Sequence, residues 1–333
     1  MSSSFWQKKR VFVTGGAGFI GSHVVEMLAA AGAAVSVPIR PESREMPESL
    51  RPLLGRISVE RIALEDEQAL AAHLEGFDAL FHLAARTGPS VLYSSQHHGT
   101  LAYRNIRPFV TVLEAARRAS VGSFLICSSA CVYPSGAQQP IGEDEGFRDF
   151  PEASNEGYGM SKRFQEYLGM QYAKEYGMCV KIARPFNAYG PRDYFDVTSS
   201  HVIPALICKA LSAVDTLEIW GSGAASRGFI YVEDVARGLL SVAERAPVGQ
   251  PINLGPMTST TIGELAALII RLCGRNLELR FDRTKPEGQA RRIADITRAE
   301  RLLGYRPAVT LEDGLRRTIA WYTGRSGQLQ ATA

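Results

Sequence analysis

A glycine-rich turn near the start of the chain restricts the possible folds more than any other feature. Residues 11–21 read VFVTGGAGFIG, an apolar run followed by Gly15, Gly18 and Gly21. In a strand–turn–helix unit the first glycine permits a tight turn, the second lets backbone approach a pyrophosphate, and the third lets helix pack on strand. The phosphate then lies at the helix N-terminus. The segment predicts a dinucleotide-binding turn, because a plain turn would not need three glycines at this spacing.

Short β-rich runs alternate with helical patterns through the first half of the chain. Such alternation is typical of βαβ units around a buried parallel sheet. We therefore predict an α/β fold with a Rossmann-type doubly wound parallel sheet. The predicted strands are Val11–Val13, Val35–Ile39, Val59–Ile62, Ala79–Leu83, Phe124–Cys127 and Val180–Ala183, and predicted helices begin near Ser22, Asp66, Ala102 and Tyr158.

The pattern changes after Arg184, where prolines and glycines indicate long loops. We interpret residues 1–185, together with about 229–255, as the nucleotide-binding domain. Residues from about 186 to 228 and from 256 to 325 would form a smaller α/β C-terminal lobe for the substrate. The elements predicted in this half are a strand at Phe229–Val232 and helices from Asp234 and at Ile262–Cys273, Thr297–Leu303 and Leu311–Tyr322.

Composition argues against several classes of protein. A net charge of +3, from 37 Lys and Arg against 34 Asp and Glu, is too small to favour nucleic-acid binding. Five cysteines without a CxxC pair argue against a disulfide framework or a zinc site and fit a reducing cytosol. No apolar run reaches the ~18 residues of a membrane span, and MSSSFWQKKR lacks an apolar signal region. We expect a cytoplasmic protein with no metal, nucleic acid or membrane partner.

The end of the predicted second strand bears on the choice of cofactor. NAD sites usually place an acidic residue there for the ribose hydroxyls, but this chain has Ile39, Arg40 and Pro41. The guanidinium of Arg40, with Arg44 as a second candidate, is suited to a 2′-phosphate. We therefore favour NADP(H) and keep NAD open. The alternative interpretation is that both arginines are solvated loop residues.

Three side chains suggest hydride-transfer chemistry. Tyr158 and Lys162, in GYGMSK, are four residues apart and would share one face of a helix. We expect the ammonium to lower the pKa of the tyrosine from its usual ~10, which makes the phenol a usable acid or base for a carbonyl. Ser129, at the end of the predicted fifth strand, could hydrogen-bond the same carbonyl oxygen. The structural alternative for Tyr158 and Lys162 is a surface helix pair.

Together these features resemble the extended short-chain dehydrogenase/reductase family, which includes the NAD-dependent epimerases and dehydratases. The resemblance covers nearly the whole chain, through HLAA at 82–85, RPFNAYGP at 184–191 and RGFIYVEDVA at 227–236. It implies a Rossmann-type dinucleotide site served by Ser129, Tyr158 and Lys162. It also implies a homodimer built through the helices at Ala102–Ala119 and Tyr158–Tyr176. The other cofactor contacts that it implies are Phe19, Ile20, Leu83, Ala84, Ala85 and Pro185.

Several stretches are most similar to the GDP-L-fucose synthase branch and also resemble GDP-mannose 3,5-epimerases. They are SSACVYP at 128–134, SNEGYGMSK at 154–162, YGPRDYF…SSHVIPAL at 189–206 and FDRTKPEGQARR at 281–292. In the synthase branch a cysteine and a histidine form an acid/base pair that inverts the two carbons beside a ketone. The resemblance assigns these roles to Cys131 and His201. Taken alone, Cys131 reads as a small buried hydrophobe and His201 as a loop or cap histidine.

Other positions match substrate contacts that the resemblance implies. Arg227 matches a basic residue at the diphosphate and Lys285 a substrate-side lysine, and Asn187 and Trp220 are further candidates. Lys209 stands where the branch has an arginine, so the charge is kept but the bidentate fork is lost. The loop GGAGFIG also resembles that of epimerases and dehydratases more than that of the synthases. For each charged residue, a solvated surface position is the alternative.

The resemblance implies NADPH-dependent 3,5-epimerisation and 4-keto reduction of a GDP-4-keto-6-deoxy-hexose. The product would be GDP-L-fucose or a relative such as GDP-colitose. Two enzyme alternatives stay open: an epimerase that keeps tightly bound NAD without net redox change, and a 4-ketoreductase that leaves C3 and C5 alone. A non-catalytic dinucleotide sensor is the alternative from another class, and it would be expected to lose Tyr158 or Lys162, which are both present.

Overall fold

A computed structural model describes residues 5–87, 91–197, 200–285 and 289–331. The strands are β1 Arg10–Thr14, β2 Ala34–Ile39, β3 Ile57–Arg61, β4 Ala79–His82, β5 Phe124–Cys127, β6 Val180–Pro185, β7 Ala188–Tyr189, β8 Thr216–Trp220, β9 Ser226–Arg227, β10 Ile230–Tyr231, β11 Pro251–Leu254, β12 Thr260–Thr261, β13 Glu278–Asp282 and β14 Arg291–Arg292. The α-helices are α1 Phe19–Ala30, α2 Glu67–His73, α3 Val91–Gln96, α4 His98–Arg118, α5 Glu156–Tyr176, α6 Val202–Ser212, α7 Val232–Arg245, α8 Ile262–Leu272, α9 Thr297–Leu303 and α10 Leu311–Ala331.

A seven-stranded parallel sheet carries the larger part of the molecule. Its strand order is β11-β6-β5-β4-β1-β2-β3, and every neighbouring pair is parallel. The chain reverses its direction of travel across the sheet between β1 and β4, which are adjacent. In doubly wound sheets this switch point opens a crevice at the carboxyl ends of the strands, where ligands bind. The predicted fold class is confirmed.

Helices cover both faces of the sheet, which explains why β1 reads as an uninterrupted apolar run. Val11 and Val13 pack in one apolar cluster, whereas Phe12, between them, packs in the other. The first cluster includes Val24 of α1 and Val235 of α7. The second cluster contains apolar side chains of α4, among them Phe109, Val112 and Leu113. None of the described helices combines the length and apolar character needed to cross a membrane.

A smaller lobe packs around a third apolar cluster. Side chains of α6, α8 and α10 form it, including Leu206, Ile269 and Leu315. Its strands make a parallel pair, β8 with β13, and a three-stranded sheet in which β9 lies between β12 and β14. The domain boundaries proposed from the sequence stay a prediction.

The strand predicted at Phe229–Val232 is shorter than predicted and lies outside the main sheet. Only Ile230 and Tyr231 are extended, and they pair with β7 rather than with the main sheet. The helix begins at Val232, two residues before the predicted start, with Glu233 and Asp234 in its first turn. Acidic side chains there complement the positive end of the helix dipole. The last strand of the main sheet is instead β11, which the sequence analysis missed.

Candidate active site

The glycine turn closes tightly on the end of β4. Gly15 has a φ of +69°, and a Cβ atom at this position would lie 2.6 Å from the backbone nitrogen of Ala84. Gly18 precedes α1 without a side-chain cap, so the first backbone N–H groups of the helix are left without a side-chain acceptor. A turn made of glycines and one alanine, ending at an uncapped helix N-terminus, fits the pyrophosphate of a dinucleotide.

The other predicted cofactor positions line the same edge of the sheet. Backbone N–H groups of Leu83 and Ala84 donate to the carbonyl oxygen and Oγ1 of Thr14, at 3.1 and 3.3 Å. These bonds hold the segment after β4 beside the glycine turn. The remaining positions are distributed over neighbouring elements: Phe19 and Ile20 in the first turn of α1, Ala85 beyond β4, and Pro185 at the end of β6.

Arginines surround the end of β2. Arg40 and Arg44 are exposed in the loop that follows the strand. Arg61, which the sequence analysis did not single out, ends β3 and is the register partner of Ile39. Its guanidinium donates to the carbonyl oxygen of Ser43. Parallel pairing therefore adds a third cation to the predicted 2′-phosphate position.

Ser129, Tyr158 and Lys162 come together where β5 ends. Ser129 Oγ accepts a hydrogen bond from the N–H of Cys131 at 3.1 Å and is also hydrogen-bonded to Tyr158. Lys162 lies one turn along α5, with Nζ 5.8 Å from the centre of the Tyr158 ring. Its ammonium donates to the Cys127 carbonyl at 2.8 Å and to Gln165 Oε1 at 3.1 Å. Because an ammonium has three N–H donors, one is left for a further acceptor.

The pKa of Tyr158 is raised above its ordinary value, so the prediction that Lys162 lowers it is wrong. Burial of the hydroxyl is the largest cause, and the nearby thiols of Cys131 and Cys127 act in the same direction, whereas the hydrogen bond from Ser129 opposes them. Burial also lowers the pKa of Lys162, which is almost fully enclosed. Tyr158 therefore holds its proton and is equipped to donate it.

The half-buried thiol of Cys131 lies beside Tyr158. The short 3₁₀ turn Ala130–Val132 carries the cysteine, and Ser129 caps that turn. The residue after Tyr158 is Gly159, where an added Cβ would overlap the Cys131 carbonyl oxygen. This glycine lets the cysteine turn pack against α5.

His201 lies on a different element, immediately before α6, and its side chain is 64% exposed. Nδ1 is 3.5 Å from Oδ2 of Asp193. The carboxylate raises the pKa of His201. Among the described residues, no hydrogen bond joins His201 to Cys131, so their pairing stays a prediction.

Two arginines form a cationic pair in the smaller lobe. Arg227 and Arg292 are register partners on β9 and β14. Arg227 donates to the carbonyl oxygens of Ser226 and Gln289 at 2.9 and 2.6 Å, and its pKa is lowered by burial and then by the charge of Arg292. Nε and Nη2 of the buried Arg292 have no hydrogen-bond partner among the described residues, although Nη2 is 3.2 Å from a carboxylate oxygen of Glu152. Unsatisfied guanidinium donors next to a second cation fit an anionic ligand.

Arg292 is a candidate site residue that the sequence analysis missed. Arg292 belongs to the basic run ARR at 290–292, which is visible in the sequence. Only the pairing of β9 with β14 places this arginine beside Arg227.

The remaining substrate candidates lie around the same lobe. Asn187 donates from Nδ2 to the Gly228 carbonyl at 2.9 Å. Lys209 lies on α6, with Nζ 3.5 Å from the Glu218 carbonyl. Trp220 is 55% exposed at the end of β8, and the ammonium of Lys285 lies 5.8 Å from its ring centre. Residues 198–199 and 286–288, within two of the quoted motifs, lie outside the described residues.

Comparison with known proteins decides the family. The sequence model of the NAD dependent epimerase/dehydratase family matches residues 11–255. The chain belongs to this family. It is 33% identical to a GDP-L-fucose synthase of Sinorhizobium fredii, over 93% of this chain and 94% of the relative.

Other members of the family are similar over almost their full length. A dTDP-4-dehydro-6-deoxy-D-allose reductase of a Streptomyces species is 31% identical over 97% of this chain and 98% of the relative. The crystal structure of UDP-glucose 4-epimerase with UDP-glucose from Thermotoga maritima superposes with a TM-score of 0.83, at 29% identity, over 95% of this chain and 99% of that one. The protein is therefore an NAD(P)-dependent enzyme that modifies sugars, of a kind that acts on nucleotide sugars.

Proposed function

We propose that the enzyme epimerises C3 and C5 of a GDP-4-keto-6-deoxy-hexose and reduces the C4 ketone with NADPH, giving GDP-L-fucose or a close relative. One observation carries the proposal. At the carboxyl end of β5 the thiol of Cys131 lies beside Tyr158, and the backbone N–H of the same cysteine donates to the hydroxyl oxygen of Ser129. A group that can take a proton is thus next to the two groups that would hold a carbonyl oxygen.

The residues divide the chemistry between them. Hydrogen bonds from Ser129 and Tyr158 to the C4 oxygen would stabilise the enolate that forms when a neighbouring carbon loses its proton. Cys131, as its thiolate, would take that proton, and His201, whose pKa Asp193 raises, would return one from the other face. Tyr158, which keeps its proton because of burial, would donate it to the C4 oxygen during reduction.

The dinucleotide would be held by the glycine turn and Lys162. When bound, it would supply the hydride for C4. The free N–H of the Lys162 ammonium suits a ribose hydroxyl. Arg40, Arg44 and Arg61 around the end of β2 favour a 2′-phosphate and hence NADP(H).

The double variant Arg40→Ala/Arg44→Ala tests this choice of cofactor. Its kcat/KM should fall for NADPH and stay unchanged for NADH, and Arg271→Ala on α8 is the control. Equal losses of kcat/KM with both cofactors would mean that the arginines do not recognise a 2′-phosphate, and NAD would remain as the cofactor.

Arg227 and Arg292 would bind the diphosphate of the substrate, and the exposed ring of Trp220 offers a stacking surface for its base. Stacking does not select guanine over thymine. The similarity to dTDP-4-dehydro-6-deoxy-D-allose reductases supports a second candidate, the reduction of a dTDP-4-keto sugar. The lysine at position 209 is also compatible with that candidate, because the GDP-L-fucose synthase branch has an arginine there.

An exposed apolar stripe on α4 and α5 supports a homodimer. Tyr103, Met160, Phe164 and Tyr167 are 60, 38, 37 and 54% exposed, and a second copy would remove them from water. Tyr167→Arg should halve the mass measured by light scattering, whereas Val214→Arg, on another surface, should not. A wild-type monomer would contradict the dimer.

The free cysteines fit the reducing cytoplasm, where we expect the protein to act.

A substrate panel tests the function. Purified enzyme is mixed with GDP-4-keto-6-deoxy-mannose or dTDP-4-keto-6-deoxy-glucose, with NADPH or NADH, and oxidation of the cofactor is followed by absorbance. We expect oxidation with the GDP-sugar and NADPH, and a product inverted at C3 and C5 by NMR. Turnover of the dTDP-sugar alone would establish the second candidate. Inversion without oxidation of cofactor would identify an epimerase with no net redox change.

A further inference from the structure

The loop between β7 and α6 is fixed to the helix that follows the glycine turn. His23 Nε2 is 3.0 Å from the Pro191 carbonyl oxygen, and Arg192 forms an ion pair with Glu26 at 2.5 Å. His23 and Glu26 are three residues apart and so lie on one face of α1. Arg192 takes a left-handed backbone conformation, with φ of +69°. Two contacts on one rigid helix therefore hold the loop immediately before Asp193.

Asp193 is buried although it is charged. Its side chain is only 4% exposed. Oδ1 accepts the backbone N–H of Tyr194 at 2.8 Å, but Oδ2 has no hydrogen-bond partner among the described residues. Leaving a buried carboxylate oxygen unpaired is costly. The cation closest to it is the imidazole of His201, whose Nδ1 is 3.5 Å away.

We propose that Asp193 is the positioning residue for His201: its carboxylate holds the Nδ1–H of the imidazole and leaves Nε2 to exchange the substrate proton. The proposal rests on the acid/base role of His201 in the proposed function. The imidazole needs such a partner because 64% of its side chain is exposed and an exposed ring rotates freely. A contact between Nδ1 and a fixed carboxylate selects both the orientation of the ring and its tautomer.

The electrostatics agree with this geometry. Asp193 is the charged group that raises the pKa of His201, and no second charged residue is identified as acting on it in the described part of the chain. A raised pKa keeps the imidazole protonated to higher pH, which suits a group that returns a proton to the sugar. Replacing the carboxylate by an amide should therefore change the titration of His201 as well as the orientation of its ring.

The test is NMR of the histidine side chains in the full-length enzyme, combined with solvent deuterium uptake by GDP-4-keto-6-deoxy-mannose. The signal of His201 is assigned with His201→Gln. In the wild type we expect an Nδ1–H tautomer above the pKa. In Asp193→Asn the pKa should fall toward the ordinary histidine value, and deuterium uptake should slow at least about tenfold with little change in KM. Asp215→Asn, which removes an exposed charge beyond the far end of α6, is the matched control and should change neither.

The two readouts fail separately. If His201 titrates identically in wild type and Asp193→Asn, the positioning role is overturned, whatever the activity. If Asp193→Asn does not fold, the wild-type spectrum decides, because an Nε2–H tautomer with an ordinary pKa would overturn the proposal. If the wild type takes up no deuterium but His201 titrates as expected, the contact is confirmed and the proposed reaction fails instead. Asp193→Glu, which keeps a carboxylate, should recover part of the raised pKa.

Discussion

A buried histidine near Lys162 should make the enzyme sensitive to mild acid. His82, at the end of β4, is 0% exposed. Nδ1 is 3.1 Å from Thr14 Oγ1, and the ring packs against Phe109 at 5.3 Å and Phe124 at 6.2 Å. Burial, and then the charge of Lys162, lowers the pKa of His82 from 6.5 to about 3. The folded protein therefore keeps this imidazole neutral under conditions in which the unfolded chain protonates it.

The magnitude follows from proton linkage. Because the folded pKa lies below the unfolded one, the unfolded state binds more protons between pH 6.5 and about 3, and stability falls as the pH falls through this window. Going from about pH 7.5 to about pH 5 should lower the free energy of unfolding by about 2 kcal/mol through His82 alone. His23, whose pKa is lowered to about 4, chiefly by burial, should contribute about 2 kcal/mol more.

Urea unfolding at the two pH values measures the effect. His82→Phe loses the bond to Thr14 and should be less stable at neutral pH, yet it should lose about 2 kcal/mol less than the wild type on acidification. His23→Phe should behave alike, and the double variant should combine both differences. All other acid-linked groups cancel in these comparisons. An unchanged pH dependence in His82→Phe would refute the reasoning, because it would mean that the buried ring titrates normally.

Other substitutions separate the functions of the site. Tyr158→Phe should slow reduction by about 10²- to 10⁴-fold through loss of the proton donor, measured as kcat, while the dissociation constant for NADPH stays unchanged. Arg292→Ala should raise KM for the nucleotide sugar by about 10-fold or more, with the exposed Arg291→Ala as its control; equal KM values would remove Arg292 from the diphosphate site. Glu166→Gln breaks a buried ion pair with Arg184, at 2.6 Å, and should cost about 3–5 kcal/mol of unfolding free energy, measured with urea; a loss under about 1 kcal/mol would contradict that role.

Local spacing predicted the parts of the site that lie within one strand–turn–helix unit. The glycine turn depends on Gly15 and its neighbours in sequence, and Tyr158 and Lys162 share a helix face because they are four residues apart. Such features need no knowledge of distant contacts. The parallel sheet likewise follows from the alternation of strand and helix patterns.

Long-range strand pairing and the degree of burial of a side chain could not be predicted from the sequence. Arg61 and Arg292 acquire their places only through strand register, with Ile39 and Arg227 as partners. The sign of the pKa shift of Tyr158 depended on how completely its hydroxyl is enclosed, and helical spacing does not contain that quantity.

The central claim is that the thiol of Cys131 performs proton transfer beside the carbonyl site. Wild-type enzyme, Cys131→Ala and, as control, Cys127→Ala in the buried strand β5 would be incubated with GDP-4-keto-6-deoxy-mannose in deuterated water without NADPH. NMR should find deuterium at C3 and C5 with the wild type and Cys127→Ala but not with Cys131→Ala, which should still reduce the ketone once NADPH is added. Equal deuterium uptake by Cys131→Ala, or reduction by the wild type without any uptake, would contradict the claim.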